Sequence, residues 1–328
     1  MKAVVFDEFG DAEVLRLAEA PMPEPRPGDL LVRVMAAGVN RADLLQRRGY
    51  YGRPSYGESD LLGLEVAGEV VAVGSAVTDI SPGERVMAIV GGGAYAEYAR
   101  VDRGMAVRIP DDLGYVAAAA TMESFVTAWE AVVHLGAAAK GQAVLVHAAA
   151  GGVGSAGVEI AHALGARVFA TANAQQRANV LSLGAEAVFD YRSEDFEQGV
   201  RDATGGRGVD VVVDFVGGDY LARNLRSLAP GGRLVQVGLL GGQDSTTIPL
   251  AVLLHKHLRL IGTVMKSRTP DEKRAMVRRF VDGALPMFGD GRLRPLVGKV
   301  FPLSEAAEAH RWMEAGGGFG KIVLSVAA

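Results

Sequence analysis

The feature of this 328-residue chain that most constrains its fold is a regular alternation of apolar strands, glycine-rich turns and helices, which begins at Gln142. The segments predicted to be strands are Ala143–His147, Arg167–Ala172, Ala187–Asp190, Asp210–Phe215, Arg233–Val237 and Arg259–Val264. The helices predicted between them are Gly152–Leu164, Gln175–Leu183, Asp195–Ala203 and Tyr220–Leu228. Uninterrupted apolar strands joined by helices indicate a parallel sheet that is covered on both faces. Right-handed crossovers then make this an α/β domain with a doubly wound sheet.

The first third of the chain has a different rhythm, which predicts a compact β-barrel. Short segments rich in β-forming residues recur between turns of glycine and proline. These segments are Ala3–Phe6, Asp29–Ala36, Glu65–Val73, Arg85–Ile89 and Tyr95–Val101. A helix over Ala117–Leu135 is predicted to follow them.

The final segment is expected to return to this barrel. Thr269 to Glu272 has the pattern of a capping box with proline at the first helical position, which predicts a helix start. A second helix over Ser304–Ala315 and a strand over Lys321–Val326 follow. We therefore expect a barrel domain over residues 1–122, a doubly wound domain over 123–265, and a return to the barrel domain over 266–328.

Composition excludes several kinds of site and partner. The chain has no cysteine, so it has no disulfide, iron–sulfur cluster, thiolate nucleophile or cysteine-ligated zinc. Its net charge of -4 argues against a nucleic-acid partner. No apolar run approaches the roughly 20 residues of a membrane span, and Asp7 makes a strand a better prediction than a signal peptide. We expect a cytoplasmic protein with neither nucleic acid nor membrane as partner.

The turn after the first strand of the alternating region predicts a dinucleotide site. Gly151 would let the backbone approach a pyrophosphate, and Gly154 would let the helix pack on the strand. Gly152 and Val153 would offer free amides at the helix start, where the helix dipole favours an anion. Ala149 replaces the usual first glycine of this motif, and a turn needed only for helix packing is the alternative.

The end of the next strand favours NADPH over NADH. NAD sites place a carboxylate at this point to bind the ribose 2′-hydroxyl. The segment from Phe169 to Ala174 contains no carboxylate, and Asn173 is its polar residue just after the strand end. Arg177 follows in the next helix, and Tyr191 and Arg192 follow the third strand. A cation in this place suits a 2′-phosphate. The alternative is that Arg177 is a solvated surface charge.

Several motifs together resemble the medium-chain dehydrogenase/reductase superfamily, in its zinc-free quinone oxidoreductase branch. They are Gly38 to Asp43, Gly63 to Gly68, Ala148 to Gly154 and Gly320 to Leu324. The segment from Asn40 to Tyr51 is most similar to the stress-inducible NADPH:quinone oxidoreductase subgroup. The resemblance covers essentially the whole chain. It implies a GroES-like β-barrel catalytic domain, a doubly wound Rossmann domain that binds NADPH, and a final segment that returns to the barrel.

The resemblance also implies a reaction without metal. Zinc-dependent relatives have cysteine at the position of Asn40 and histidine at that of Leu64, and neither an amide nor a leucine binds zinc as those ligands do. Hydride would pass from nicotinamide C4 to a small quinone or another activated carbonyl compound. Asn40 and Tyr51 are the expected polarising residues. Asp43 would either cap the helix that starts at Arg41 or orient Asn40.

Further cofactor contacts are implied by the resemblance alone. Thr127 matches a threonine that contacts the cofactor, although its hydroxyl could instead bond to its own helix. The other positions that border the cofactor in relatives are Gly217, Gly238, Leu239, Met265, Phe319 and Lys321. Gly217 and Gly238 follow the fourth and fifth strands, where open α/β sheets bind ligands. Lys321 could instead cap a helix.

An enone or enoyl-thioester reductase on the same scaffold is the nearest alternative function, and a structural or RNA-binding relative of crystallin type is a more distant one. A homodimer is expected, through pairing of the edge strand Arg259–Val264. His147 is interpreted as a core histidine, and the basic cluster from Lys273 to Arg279 as a solvated helix face.

Overall fold

The computed structural model of the chain describes residues 1–50, 59–316 and 318–326, which form two compact units. Unit 1 comprises Met1–Glu123, Lys266–Val281 and Pro295–Ala328, and unit 2 comprises Ser124–Met265 and Asp282–Arg294. The main boundary lies close to the predicted one. The difference is Asp282–Arg294, which belongs to unit 2 although the sequence placed it in the returning segment. Phe288 explains this, because its ring packs edge-on against Phe125 of unit 2 at 4.9 Å.

The strands of the described residues are, in chain order, β1 (Lys2–Val5), β2 (Arg16–Glu19), β3 (Asp29–Val39), β4 (Glu65–Val73), β5 (Arg85–Ile89), β6 (Tyr98–Asp102), β7 (Ala106–Arg108), β8 (Ala143–Val146), β9 (Arg167–Ala172), β10 (Ala187–Asp190), β11 (Val209–Asp214), β12 (Leu228–Gln236), β13 (Arg259–Gly262), β14 (Val297–Pro302) and β15 (Lys321–Ser325).

The α-helices are α1 (Arg41–Arg47), α2 (Tyr115–Ala118), α3 (Met122–Trp129), α4 (Gly152–Ala163), α5 (Arg177–Ser182), α6 (Phe196–Ala203), α7 (Tyr220–Ser227), α8 (Leu250–His255), α9 (Pro270–Gly283), α10 (Pro286–Gly289) and α11 (Ala306–Glu314).

Unit 2 contains the doubly wound sheet that the alternating pattern predicts. Its six strands lie in the order β10-β9-β8-β11-β12-β13, and every pair is parallel. The first strand along the chain, β8, therefore lies at the centre, and the order reverses beside it. All residues of β8 and β11 are buried, as expected for strands covered by helices on both faces.

Unit 1 is built on a seven-stranded sheet in the order β14-β15-β3-β4-β5-β7, with β6 also paired to β3. Neighbours are antiparallel except β14 and β15, which are parallel. The long strand β3 is the centre, since it pairs with β4, β6 and β15. In the β15 pairing, Val323 lies opposite Gly38, so the returning segment completes this sheet.

The structure corrects several predicted elements. The helix predicted over Ala117–Leu135 is divided into α2, α3 and a π-helix over Glu130–Leu135. The hydroxyl of Thr121 donates to the Ala117 carbonyl at 2.9 Å, in the break between α2 and α3. The strands β2, β7 and β14 were not predicted, because they are short or mostly exposed and lack an apolar pattern.

Helix α9 begins with the predicted capping box. The Glu272 carboxylate accepts from the Thr269 amide at 2.8 Å, and the Thr269 hydroxyl accepts from the Glu272 amide at 3.3 Å. The prediction of a solvated basic face on this helix is wrong at two positions. Lys273 is buried, and Arg274 forms an ion pair with Asp102.

None of the helices in the described part of the chain is long and apolar enough to cross a membrane.

Candidate active site

Asn40 is held at the junction between β3 and α1. Its backbone amide donates to Oδ2 of Asp43 at 2.8 Å, which is the contact of a capping box at the start of α1. Asp43 is fully buried. Two roles were predicted for Asp43, capping α1 or orienting Asn40, and the observed bond is the capping one. The same bond also fixes the backbone of Asn40.

The side-chain amide of Asn40 bridges two charged groups. Its Nδ2 donates to Oε1 of Glu65 at 3.0 Å, and its Oδ1 accepts from the Lys321 ammonium at 2.6 Å. Lys321 and Glu65 also form a direct ion pair. Among the described residues, the remaining Nδ2 hydrogen has only a long 3.4 Å contact, with the Gly38 carbonyl. Because only an oxygen can accept from the ammonium, the orientation of the Asn40 amide is set.

Strand register brings these three residues together. Asn40 directly follows β3, Glu65 begins β4 and Lys321 begins β15. Ala37 pairs with Val66 on one side of β3, and Val39 pairs with Ile322 on the other. The three side chains therefore meet at one end of the sheet of unit 1, although Lys321 is 281 residues from Asn40 along the chain.

Glycine is required at position 38 for the Glu65 carboxylate to fit. A Cβ atom at Gly38 would lie 2.2 Å from Glu65 Oε1 and 2.4 Å from the Ala119 carbonyl oxygen. The second oxygen of Glu65 accepts from the Glu123 amide at 2.9 Å. Glu65 is thus a fully buried carboxylate whose two oxygens both have hydrogen-bond donors.

Burial shifts the titration of the groups around Asn40. Burial raises the pKa of the Asp43 carboxyl to about 7, against the effect of hydrogen bonds from Asn40 and Tyr95. Burial, followed by the negative charge of Glu65, raises the pKa of Glu123 to about 8. Glu123 is therefore mostly protonated at neutral pH, which reduces charge repulsion among these carboxyl groups.

In unit 2, the turn between β8 and α4 has donors that fit a pyrophosphate. Gly151 is the cap residue of α4, and as a glycine it has no side chain to cap this helix start. A Cβ at Gly154 would lie 2.3 Å from the Ala148 carbonyl oxygen, so this glycine is needed for helix packing as predicted. A Cβ at Gly151 would meet that oxygen at an ordinary 3.5 Å, so the protein itself does not require glycine there. The positive-φ residue of the turn is Ala148, at 49°.

The residues predicted to select the cofactor follow the ends of β9 and β10. Asn173 caps the following helical turn by accepting from the Gln176 amide at 2.9 Å. Arg177 forms an ion pair with Glu194, and its buried Nε has no hydrogen-bond partner among the described residues. Tyr191 is half exposed. A carboxylate is thus near this site, but it belongs to Glu194 and is already paired with Arg177.

The remaining predicted cofactor residues are divided between the units. Thr127, in α3, and Met265 are partly buried residues of unit 2. Gly217, with φ of 70°, follows β11, and Gly238 follows β12, at the carboxyl ends of neighbouring strands. Leu239 is 52% exposed beside Gly238.

Phe319 and Lys321 lie in unit 1 instead. The Phe319 carbonyl would lie 2.2 Å from a Cβ at Gly298, so it packs closely on β14. The observed contacts of Lys321 are with Asn40 and Glu65, which differs from the predicted alternative of a helix cap. Contact of these residues with a cofactor stays a prediction.

His147 is a core histidine, as predicted. Its Nδ1 lies 3.0 Å from the Thr171 hydroxyl, and its Nε2 lies 2.7 Å from the side-chain oxygen Oδ1 of Asn224. Burial lowers its pKa. The Asn224 amide in turn donates to Asp214 at 2.9 Å, so the imidazole belongs to a satisfied polar network under the sheet.

Over residues 1–50, 59–316 and 318–326, there is no group of three or more histidine, aspartate or glutamate side chains that could hold a metal ion. Tyr51, the second predicted catalytic residue, lies outside the described residues.

Sequence reasoning missed Glu65, Glu123, Tyr95 and His310. Tyr95 donates to Asp43 at 2.9 Å, and its oxygen lies 3.2 Å from His310 Nε2. Glu65 had a signal, since a carboxylate at the start of an apolar strand is an unusual residue to bury. Tyr95 and His310 had none, because 215 residues separate them.

Comparison with family models matches both units. A model described as zinc-binding dehydrogenase matches residues 152–282, and one described as alcohol dehydrogenase GroES-like domain matches residues 26–111. The fold is therefore that of the medium-chain dehydrogenase/reductases, with a GroES-like domain and a Rossmann-type parallel sheet, as predicted.

Two curated relatives align over nearly the whole chain. The quinone oxidoreductase of Lama guanicoe is 34% identical over 330 residues, covering 99% of this chain and 97% of the relative. The mycocerosic acid synthase-like polyketide synthase of Mycobacterium tuberculosis is 34% identical over 325 residues, or 97% of this chain. The chain spans only 15% of the length of that synthase.

Solved structures of quinone oxidoreductases and of enoyl reductases both superpose on the chain. The quinone oxidoreductase of Pseudomonas syringae pv. Tomato DC3000 superposes with a TM-score of 0.87 at 31% identity, covering 99% of both chains. The CurK enoyl reductase superposes with a TM-score of 0.88 at 28% identity, also covering 99% of both. The chain belongs to the quinone oxidoreductase family of the medium-chain dehydrogenase/reductase superfamily.

The raised pKa of Glu123 predicts how stability changes with pH. The folded-state pKa of about 8 exceeds the ordinary value of 4.5, so the stability that Glu123 contributes at low pH is lost as pH rises to 8. Glu123→Gln, which mimics the protonated carboxyl, should reduce the loss of unfolding free energy between pH 5 and pH 9 by about 1 kcal/mol or more.

Urea denaturation at the two pH values measures this loss. The matched control is Glu24→Gln, at an exposed glutamate of the same unit, which should behave like the unmodified chain. Equal losses in the Glu123→Gln variant and the unmodified chain would contradict the prediction.

Proposed function

We propose that the chain is an NADPH-dependent quinone oxidoreductase that reduces a small quinone without a metal. The observation that carries this proposal is the Asn40 amide held between Lys321 and Glu65. The full-length likeness to proteins named quinone oxidoreductase supports the choice of acceptor.

The surroundings of Asn40 favour chemistry without zinc, although one matching family model is described as zinc-binding. The positions that would supply cysteine and histidine ligands hold an amide, Asn40, and a buried apolar side chain, Leu64. The Lys321 ammonium lies 2.6 Å from Asn40 Oδ1. The ammonium is also paired with Glu65, so a metal ion would have to displace it from both the Asn40 oxygen and the Glu65 carboxylate.

The same ammonium would make Asn40 a better donor to the acceptor oxygen. Donation by Lys321 to Oδ1 polarises the amide, and polarised amides donate more strongly through nitrogen. One Nδ2 hydrogen is donated to Glu65, and within the described part of the chain the other has only the 3.4 Å contact with Gly38. The second hydrogen would stabilise negative charge that develops on a quinone oxygen. Tyr51 is proposed as a second donor.

The turn before α4 would hold the cofactor. Gly152, Val153 and Gly154 would present backbone amides to the pyrophosphate, since the cap residue Gly151 has no side chain to accept from them. The Gly151 amide already donates to the Ala148 carbonyl at 3.1 Å, so Gly151 would contribute close approach of the backbone rather than a donor. A bound nicotinamide cofactor would supply the hydride. The further residues proposed to border it are Thr127, Asn173, Tyr191, Gly217, Gly238, Leu239, Met265, Phe319 and Lys321.

Arg177 would select NADPH. Its guanidinium is paired with Glu194, so a 2′-phosphate would have to compete with that carboxylate. A phosphate with nearly two negative charges and three acceptor oxygens is the stronger partner.

An enoyl reductase is the second candidate function. The likeness to a polyketide synthase and the TM-score of 0.88 to an enoyl reductase favour it. Both reactions need a hydride and a donor to a developing oxygen anion. The choice of hydride acceptor, a quinone or an enoyl compound, therefore distinguishes the two functions better than the residues around Asn40 do.

A homodimer through the edge of the unit 2 sheet is part of the proposal. The edge strand β13 and neighbouring segments expose large apolar side chains, which are Leu240, Leu250, Leu254, Leu260 and Val264. Pairing of two such edges would continue the sheet across a two-fold axis and remove this apolar surface from water.

Acceptor choice is the direct test of the reaction. NADPH oxidation by the purified chain should show a higher kcat/KM with small quinones than with enones or enoyl thioesters. Asn40→Ala should lower kcat with quinones by about 100-fold, because a donor to the developing oxygen charge is lost. Asn179→Ala, at an exposed asparagine, is the control. Turnover of enones with no turnover of any quinone would contradict the proposal and select the enoyl reductase.

Cofactor selection is tested at Arg177. Arg177→Ala should reduce the ratio of kcat/KM for NADPH to that for NADH by about 10-fold or more, because the 2′-phosphate loses its charge partner. Arg167→Ala is a matched control, since Arg167 is also an exposed arginine of unit 2 paired with a glutamate. An unchanged ratio in Arg177→Ala would reject this assignment.

The proposed dimer is tested by sedimentation velocity at micromolar concentration. The unmodified chain should sediment as a dimer of two 34.3 kDa chains. Leu260→Lys, which puts a charge on the edge strand, should shift it to monomer. A monomeric unmodified chain would be inconsistent with the proposed interface.

A further inference from the structure

A continuous series of buried side chains leads to Asp43 in unit 1. Arg47 Nη1 lies 3.3 Å from His310 Nδ1, and His310 Nε2 lies 3.2 Å from the Tyr95 oxygen. Tyr95 in turn donates to Asp43 Oδ2 at 2.9 Å. All four residues have 0% exposure. We call this series the donor chain.

The chemistry of the groups sets the direction of every bond in the donor chain. A guanidinium has donors only, so Arg47 must donate to Nδ1 of His310, which is therefore unprotonated. The hydrogen of the neutral imidazole is then on Nε2 and is donated to the Tyr95 oxygen. The single phenolic hydrogen of Tyr95 is left for Asp43.

Both ends of the donor chain are anchored. At one end, the Arg47 guanidinium donates to the Gly10 carbonyl at 3.0 Å and forms an ion pair with Glu314. At the other end, the same Asp43 oxygen that accepts from Tyr95 accepts from the Asn40 amide. The orientation of the Asp43 carboxylate is therefore fixed from the α11 side as well as from α1.

The imidazole is kept in the form that this direction requires. Burial, followed by the positive charge of Arg47, lowers the pKa of His310 to about 3. A protonated imidazole would direct its Nδ1–H at the N–H of Arg47 Nη1, and neither of these two facing hydrogens would have an acceptor. His310 therefore stays neutral across the physiological range.

We infer that Tyr95 and His310 are positioning residues for Asn40, acting through the fixed carboxylate of Asp43. Asp43 holds the backbone of Asn40, and the Asn40 side chain is the proposed donor to the acceptor oxygen. Small displacements of such a donor have large effects on rate. For its effect on turnover, this inference rests on the proposed function.

Kinetics test the inference at Tyr95. Tyr95→Phe keeps the ring and removes the bond to Asp43, so kcat should fall by about 10-fold while KM for NADPH is unchanged. Tyr98→Phe, in β6 of the same unit, is the matched control and should leave both constants unchanged. A Tyr95→Phe variant with unchanged kcat would overturn the inference.

His310 provides a second pair of variants. His310→Gln retains one acceptor and one donor, whereas His310→Leu retains neither. The glutamine variant should keep several times more of the kcat than the leucine variant. Equal losses of kcat in the two folded variants would show that the imidazole only fills space.

A measurement that needs no turnover separates this inference from the proposed function. In ¹⁵N NMR spectra of the full chain, His310, assigned with His310→Gln, should be the neutral Nε2–H tautomer from pH 5 to pH 8. The Asn40 backbone amide resonance should move in Tyr95→Phe and not in Tyr98→Phe. A protonated or Nδ1–H imidazole, or an unmoved Asn40 resonance, would overturn the inference. With these shifts present and no quinone turnover, only the proposed function fails.

Discussion

The buried Glu65 carboxylate is the constraint on which the rest of unit 1 depends. Removal of a carboxylate from water costs several kcal/mol unless donors replace the water, so its neighbours are not free to vary. Lys321, Asn40 and the Glu123 amide supply those donors. Gly38 leaves the space that the carboxylate needs. The Glu65 carboxylate thus joins β4 to the end of β3, to β15 and to the start of α3 through hydrogen bonds. It also helps to set the orientation of the Asn40 amide.

Much of the fold was predictable because its signals are local. The six strands of unit 2 follow from apolar runs between glycine turns, and their parallel order follows from the intervening helices. Asp282–Arg294 was assigned to the wrong unit because that choice depends on the packing of Phe288 against Phe125, which no local pattern records. Strand β14 was missed because most of its side chains are not buried.

The candidate site shows the same division between local and distant contacts. Asn40 and Asp43 were found from one short motif, because a capping box joins residues three positions apart. Lys321 was noticed, but its partners were not, since its contact with Asn40 depends on how β15 pairs with β3. His310 and Tyr95 gave no signal at all. Tyrosine and histidine are ordinary core residues. The direction of the hydrogen bonds of the His310 imidazole is set by Arg47, which contacts its Nδ1 in the folded structure.

The distance along the chain between Asn40 and Lys321 has a consequence for synthesis. All of the doubly wound sheet lies between these two residues, so the ribosome completes it before Lys321 is made. Until then Glu65 lacks its cation, and the sheet that holds Asn40 lacks β14 and β15. Since domains fold as units during synthesis, the nascent chain would carry a formed Rossmann-type sheet while the sheet of unit 1 is still incomplete and part of the β3 edge is open. The unpaired backbone groups of that edge could pair with another chain, so such an intermediate would be more prone to aggregation than the finished protein.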